Sequence, residues 1–299
     1  MCKSGKGPDA DVFSPTPCAL TAMNTPAPTR FAIDCRLAYE LDAACDFIFM
    51  IHVADTPEQR LVEERLELTP NIASRLHFDV SGNRVMRLQA PAGALTLNYR
   101  ASVDRVPMPA DLAAQEMRVN DLPDDVLPHL LPTRYCESDL LSADAQALFG
   151  QLPPGHSRVQ AVSDWIGKNI EYKIGSTVAT TTARDVFMQR AGVCRDFAHL
   201  AITFCRALNI PARLVCGYSP FETPPPDFHA VFEAFIGGRW VMFDPTGLAP
   251  VASLIRVATG RDAKDVAFAT IFGPARMTSM SPEIERIQAA APAAATALA

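Results

Sequence analysis

Three residues in the second half of the chain have types and neighbours suited to acyl transfer. Cys194 stands in Gly192-Val193-Cys194-Arg195-Asp196-Phe197, at the point where a helical pattern begins. Unpaired N–H groups and the positive end of the helix dipole favour a thiolate in a first turn. The plainer reading is a small buried hydrophobe, the usual fate of a free cysteine; the preceding glycine and the helix start count against it. Arg195 adds positive charge if its side chain turns inward rather than to solvent. His229 lies in Asp227-Phe228-His229-Ala230-Val231-Phe232-Glu233, an alternating strand pattern, and Asp244 precedes Pro245-Thr246 at the end of another. Between them Gly237-Gly238 is a two-residue hairpin signal. If Ile236 pairs with Arg239, Val231 faces Asp244, and His229 becomes the diagonal neighbour of Asp244 on the same face. Each residue alone is more often structural, a buried-strand histidine and an aspartate opening a turn. The hairpin register is what joins them.

The chemistry needs these three types. A thiol near its free pKa is only slightly ionised at neutral pH, so a neighbouring imidazole takes its proton and later returns it to the leaving amine. A carboxylate holds that imidazole in one tautomer and stabilises its cation. Backbone N–H groups at a helix start bind a developing oxyanion. Tyr172 and Thr180 to Thr182 are candidate side-chain donors to it, Tyr172 being equally explicable as packing.

These residues must be positioned by the elements around them. Residues 1–29, rich in Pro, Ser, Thr and Ala without periodicity, read as disordered. Met23 offers a conceivable later start. From Phe31 a period of two appears: Phe31 to Leu41, then Phe47 to Val53, Leu66 and Leu68, a hairpin through Ser81-Gly82-Asn83, and Leu95 to Val103. About six short strands without a helical run predict a β-sandwich over 30–106. The Pro-punctuated, acidic stretch 107–135 reads as a linker. Helical patterns follow over 138–149 and 156–170, the latter with Val159, Val162, Ile166 and Ile170 on one face. Thr182-Ala183-Arg184-Asp185 fits a capping box, with Gly192 as the C-terminal glycine. The helix from Cys194 to about Leu208 is expected to bury Phe197, Ala201, Phe204 and Leu208. Strands at 213–218, 228–236 and 240–243 complete a domain over 136–280, followed by an Ala-rich tail, 281–299. The fold class expected is α+β.

Composition narrows the function classes. The formal net charge is -6 and 48% of the 299 residues are hydrophobic. An acidic chain of this kind argues against nucleic acid as a partner. No apolar run is long enough to span a membrane and no signal-peptide core is evident, which predicts a cytoplasmic protein without a membrane partner. Eight cysteines without a CxxC pair fit free thiols in a reducing compartment. Cys205 lies too far along the same helix from Cys194 to pair with it. Neither HExxH nor His-x-Glu occurs, so no metal and no cofactor is expected. His199, Trp165, Trp240, Asp262 and Asp265 read as packing, cap or local ion-pair residues, with Trp240 a possible cleft wall.

The segments 192–200 (Gly-Val-Cys-Arg-Asp-Phe-Ala-His-Leu), 227–230 (Asp-Phe-His-Ala) and 237–246 (Gly-Gly-Arg-Trp-Val-Met-Phe-Asp-Pro-Thr) resemble, in order, the three motifs of the bacterial transglutaminase-like superfamily. The 30–106 region resembles the N-terminal β domain often joined to that core, and Gly260 to Val266 a segment that follows the Asp motif. The resemblance implies a papain-like core in which a nucleophile helix packs on an antiparallel sheet. It implies Cys194 as nucleophile, His229 as general base and Asp244 as orienting acid. Arg195 departs from the Trp usual in animal cross-linking enzymes, and no acidic cluster suggests their calcium sites. The expected function is therefore hydrolysis of peptide or other amide bonds through a thioester. The alternatives are transfer of the acyl group to an amine and a non-catalytic protein-binding module; the expected partner is a peptide or protein substrate.

Overall fold

In the computed structural model, which describes residues 28–287 apart from 107, 222 and 226, the period-two signal becomes strand pairing. β1 (Thr29–Leu41) buries Phe31, Ile33, Cys35, Leu37, Tyr39 and Leu41 on one side. Then come β2 (Cys45–Phe49), β3 (Gln59–Thr69), β4 (Ser74–Phe78), β5 (Arg84–Ala90) and β6 (Gly93–Arg105). Asp79 closes the β4–β5 turn by accepting the N–H groups of Ser81 and Asn83, both at 2.8 Å. The segment read as a linker has more structure than that. It holds two 3-10 turns, Val119–Asp121 and Leu127–Leu130, and it packs Leu122 and Val126 against Phe235.

The helical half opens with α1 (Ser142–Phe149) and α2 (His156–Asn169), which buries Val159, Val162 and Ile166 as its spacing predicts. β7 (Glu171–Tyr172) follows, then α3 (Ala183–Gln189), whose capping box is formed: Asp185 Oδ2 accepts the Thr182 N–H at 2.9 Å and Thr182 Oγ1 accepts the Asp185 N–H at 3.4 Å. The left-handed residue ending α3 is Arg190 (φ 59°), not Gly192. Gly192 belongs to β8 (Ala191–Gly192), parallel to β7, and its lack of a side chain answers a different need. A Cβ there would lie 2.7 Å from Asp196 Cβ.

α4 (Cys194–Ala207) is buried on every side from Asp196 to Arg206, where the periodicity predicted one buried face. It is the central helix, with α1, α2 and α3 against it on one side and a sheet on the other. That sheet is antiparallel: β9 (Ala212–Tyr218), β10 (His229–Ile236), β11 (Arg239–Phe243) and β12 (Ile255–Gly260), in the order β11-β10-β9-β12. A helix walled in this way has no solvated face, so amphipathicity understates its burial.

The chain then returns to its beginning. β13 (Ala269–Phe272) pairs with β2, and β14 (Ala275–Ile287) pairs with β1 along nearly its whole length, from Arg30↔Ile287 to Leu41↔Ala275. The N-terminal sandwich is thus two four-stranded sheets, β14-β1-β6-β3 and β13-β2-β5-β4. This corrects two boundaries: the catalytic core does not run on to 280, and residues 281–287 are strand, not tail. β14 is an edge strand with Ser281, Glu283 and Glu285 on its outer side and a proline at 282, so its alternation is muted. The expected disorder over 1–29 and the rest of the Ala-rich tail fall almost wholly outside the described residues.

Side-chain amides join the two halves. Gln59 donates to the Arg256 carbonyl and accepts the Arg256 N–H, both at 2.8 Å, and Asn83 does the same for Thr259 at 2.8 Å. They satisfy the free edge of β12 as a neighbouring strand would. A chain ending at Ile287 is therefore expected to melt like the parent. One ending at Pro274 should melt about 5 °C lower or more, corresponding to roughly 2 kcal/mol for a chain of this size. Thermal unfolding followed by circular dichroism checks both; equal melting of the two truncations would show β14 to be dispensable.

Candidate active site

The hairpin forms in the expected register. Ile236 pairs with Arg239 and Phe232 with Phe243, while Gly237 and Gly238 take φ of 60° and 75°, the conformation a tight two-residue turn demands. Continued by one residue, the register brings Asp244 opposite Val231, and His229 Nε2 lies 2.8 Å from Asp244 Oδ2. Asp244 is itself held: its Oδ1 accepts the Thr246 N–H at 2.9 Å and the Thr246 hydroxyl at 2.7 Å. The carbonyl of Pro245 would be 2.9 Å from a Cβ on Gly167, so α2 approaches this turn as closely as a glycine permits. Neither Thr246 nor Gly167 is singled out by the sequence reading; the Asp-Pro-Thr string, an Asx turn, is the signal that finds the first.

Cys194 enters from the N-terminus of α4. It alone among the described cysteines is partly exposed, the other five being buried. Sγ approaches the Phe228 carbonyl at 3.9 Å. The other His229 ring nitrogen, Nδ1, is buried and makes no hydrogen bond of good geometry, while Cys194 is one of the groups that perturb the imidazole. Catalytic contacts are often loose before substrate binds. Burial acts to lower the His229 pKa, but Asp244 and then Cys194 override it and raise the value to about 9. Burial holds other thiols in the neutral form: Cys35, Cys136 and Cys216 are pushed up to about 12.

The start of α4 is braced by Asp196, whose Oδ2 accepts the Val193 N–H at 2.9 Å and the Thr177 hydroxyl at 2.6 Å. Val193 has no polar side chain, so only this half of a capping box exists. Arg195 lies 3.4 Å from Asp196 Oδ1, folded onto the helix start. β7 sets Tyr172 beside Gly192, and Cys194 is among the groups that act on its phenol. Burial and then Cys194 raise the Tyr172 pKa well above its ordinary range, so the hydroxyl keeps its proton. The other oxyanion candidates are differently engaged. Thr181 Oγ1 accepts the Val178 N–H and Thr182 caps α3, while the Thr180 carbonyl accepts from Arg134.

Residues 144–245, which contain all three site residues, match the family described as the transglutaminase-like superfamily, and residues 29–123 match the bacterial transglutaminase N-terminal domain. A solved structure of a putative cysteine protease from Cytophaga hutchinsonii is 42% identical, covers 89% of this chain and 93% of its own, and superposes with a TM-score of 0.82. The chain belongs to the transglutaminase-like superfamily. An uncharacterized protein of Mycobacterium leprae is 29% identical over 225 residues, 70% of this chain and 79% of its own. One of Mycobacterium tuberculosis is 28% identical over 237 residues, 70% of this chain and 75% of its own. Superfamily membership and the likeness to a putative cysteine protease support cysteine-based catalysis.

Other residues of this transglutaminase-like core stand apart from the site. His199 is buried, stacks on Tyr135 with centroids 5.3 Å apart, and accepts the Ala263 N–H at Nε2. Burial lowers its pKa to about 3, so it is a neutral packing residue. Trp165 joins Phe149 and Phe204, and Trp240 packs with Phe235 under the Arg213 guanidinium, not in the cleft. Asp265 ion-pairs with Arg261 and Asp262 accepts the Lys264 N–H. Among the described residues no helix is long and apolar enough to cross a membrane, and no group of three or more His, Cys, Asp or Glu is placed to hold a metal.

Proposed function

We propose that the protein is a transglutaminase-like cysteine peptidase or amidase, with Cys194 as nucleophile, His229 as base and acid, and Asp244 as the orienting carboxylate. The observation that carries this reading is the His229 imidazole, bonded to the Asp244 carboxylate through Nε2, with Nδ1 unpartnered and with Cys194, the one partly exposed cysteine among the described residues, among the groups that act on the ring. The Cys194 sulfur, its proton held on His229, attacks the carbonyl carbon of an amide. The carbonyl π electrons move to oxygen, which is met by the N–H at the α4 start and the Tyr172 hydroxyl. Collapse of this intermediate breaks the C–N bond, and the His229 proton leaves on the amine. Water, deprotonated by the now neutral imidazole, then opens the thioester and restores the thiol.

Transfer to an amine differs only in the second acceptor. Water is the acceptor proposed because Arg195 follows the nucleophile, where animal cross-linking transglutaminases usually carry Trp. The proposal extends to a peptide or protein substrate, to a cytoplasmic setting that suits the six free described cysteines, and to the absence of nucleic-acid and membrane partners. An alkyne-bearing thiol electrophile followed by peptide mapping tests the nucleophile, and digestion of a peptide library in H₂¹⁸O tests the acceptor. The expected result is adduct on Cys194 and ¹⁸O in newly formed carboxyl groups. Amine adducts without ¹⁸O would replace hydrolysis by transfer. A protein unlabelled at Cys194 and inert to the library would be a binding module.

A further inference from the structure

A cleft of about 920 Å³ opens beside the triad without containing it. Four strands of one sandwich sheet line it, around Ile33, Glu64, Ala101 and Ile284, together with Ser219, Pro220 and Phe221 of the segment leaving β9. Phe221 links the cleft to the chemistry: its ring meets that of His229 edge to face, with centroids 5.3 Å apart.

The lining has five carboxylates, Asp34, Glu63, Glu64, Glu283 and Glu285, against two guanidinium groups. Arg100 pairs with Asp34, and Arg65 pairs with Glu67 outside the lining. Glu64 pairs with Arg84. The other three form no ion pair among the described residues: Glu63 accepts from the Ser102 hydroxyl and Glu283 from the Ser281 hydroxyl. The strand register places Glu63, Ser102, Ala32 and Glu285 in one cross-strand row and Arg65, Arg100, Asp34 and Glu283 in the next but one, so both rows share a side of the sheet. Two arginines face two carboxylates in the second of these rows, so the surplus on this side of the sheet is that of Glu63 and Glu285, one on each edge strand.

Ser219 is the second observation. It is only 3% exposed, it lines this cleft, and its Oγ has no hydrogen-bond partner. A buried hydroxyl left unpaired is uncommon in a native fold unless something reaches it. Carboxylates in excess over arginines leading to an unpaired hydroxyl, with a ring that touches the His229 imidazole, describe a path for a chain that is cationic at one end of its contact and polar at the other.

We propose that this cleft binds a cationic, extended stretch of polypeptide, rich in Lys or Arg, and delivers it past Phe221 to Cys194. The proposal rests on the acyl-transfer reading for what becomes of the bound chain, whereas binding itself does not need it. The volume suits several residues of an extended chain, and the carboxylate rows supply charge complementarity to its side chains. The Ser219 hydroxyl can donate to a backbone carbonyl of the same chain or accept its N–H.

Fluorescence anisotropy on full-length Cys194→Ala protein tests it, with a labelled lysine–alanine peptide and a glutamate–alanine peptide of equal length as probes. The lysine peptide is expected to bind, and to bind less tightly as salt is raised. The glutamate peptide should not bind. Glu63→Gln combined with Glu285→Gln, conservative changes at exposed positions, should weaken the lysine peptide roughly three- to tenfold. Folding of the variant is checked by circular dichroism, and the salt dependence of the unsubstituted protein gives a second readout. Equal binding of the two peptides, salt-independent binding, or a folded double variant that binds like its parent would overturn the proposal. Labelling of Cys194 by an electrophile, measured separately on the unsubstituted protein, reports on the acyl-transfer reading alone, so the two can fail independently.

Discussion

Asp244→Asn should fold like the parent and lose about 100-fold or more of its turnover, by the logic of oriented-base triads. The substituted amide keeps the shape of the carboxylate, and its carbonyl oxygen can accept either from His229 or from Thr246, but not from both sides of the turn. Turned toward Thr246, which now donates from N–H and hydroxyl to Oδ1, it presents its NH₂ to Nε2. The imidazole must then hold its one proton on Nδ1, facing the sulfur it is meant to deprotonate. Turned the other way, it restores the tautomer but sets an NH₂ against two donors. In both cases the negative charge that stabilises the imidazolium is gone. Steady-state turnover of a peptide selected from the library, with melting temperature as the folding control, decides the matter. Near-parental turnover by a folded variant would remove Asp244 from the triad.

Cys194 should be the first cysteine alkylated by limiting iodoacetamide at pH 6, and His229→Ala should slow that reaction by about tenfold or more while moving its pH profile upward. The nucleophile is the thiolate, and a neighbouring imidazolium favours it. His229, with its pKa raised to about 9, carries that positive charge throughout the neutral range. The sign of the effect on stability follows from the same shift. An unfolded histidine releases its proton near about pH 6.5, so folding retains a proton between there and pH 9. The stabilisation due to His229 is complete below the unfolded value and is lost as pH rises through the folded one. Labelling should therefore depend on His229 most strongly at acid and neutral pH and least above pH 9. Helix-terminus activation acting alone leaves the His229 variant with the parental profile, and that outcome, or another cysteine labelled first, would dissolve the Cys194–His229 pair.

The site was legible because its determinants are local. Gly237-Gly238 fixes one turn, the turn fixes one register, and the register carries His229 to Asp244; a glycine and a helical pattern likewise fix where Cys194 sits. What supports the site was harder to see. The Asp196 brace and the reason for Gly192 are one contact, visible only once β8 and α4 meet at close quarters. Tyr172 is one of several candidates in the sequence, and only its pairing beside Gly192 separates it from the threonines. The fold class and the strands of the sandwich followed from alternation. The closing strands did not, because Cys35 and Pro282 are partners across most of the chain and an edge strand carries half the hydrophobic signal. His199 reads as packing from the sequence and packs as read, stacked on Tyr135 in a helix enclosed on all sides.

The pairing of β1 with β14 also sets an order of events during synthesis. Of the described elements β1 is the first to be synthesised and β14 the last, yet they are neighbours in one sheet. The sandwich that begins the chain therefore cannot close until the helical core and its nucleophile have been made. Domains that fold as the chain emerges do so from the N-terminus onward; here the first to be started is the last to be finished. Until then β1 and β2 each have an open edge, available to a holdase or to a second nascent chain. Glu283 and Glu285 arrive with the closing strand, so the acidic cleft exists only once β14 has been made.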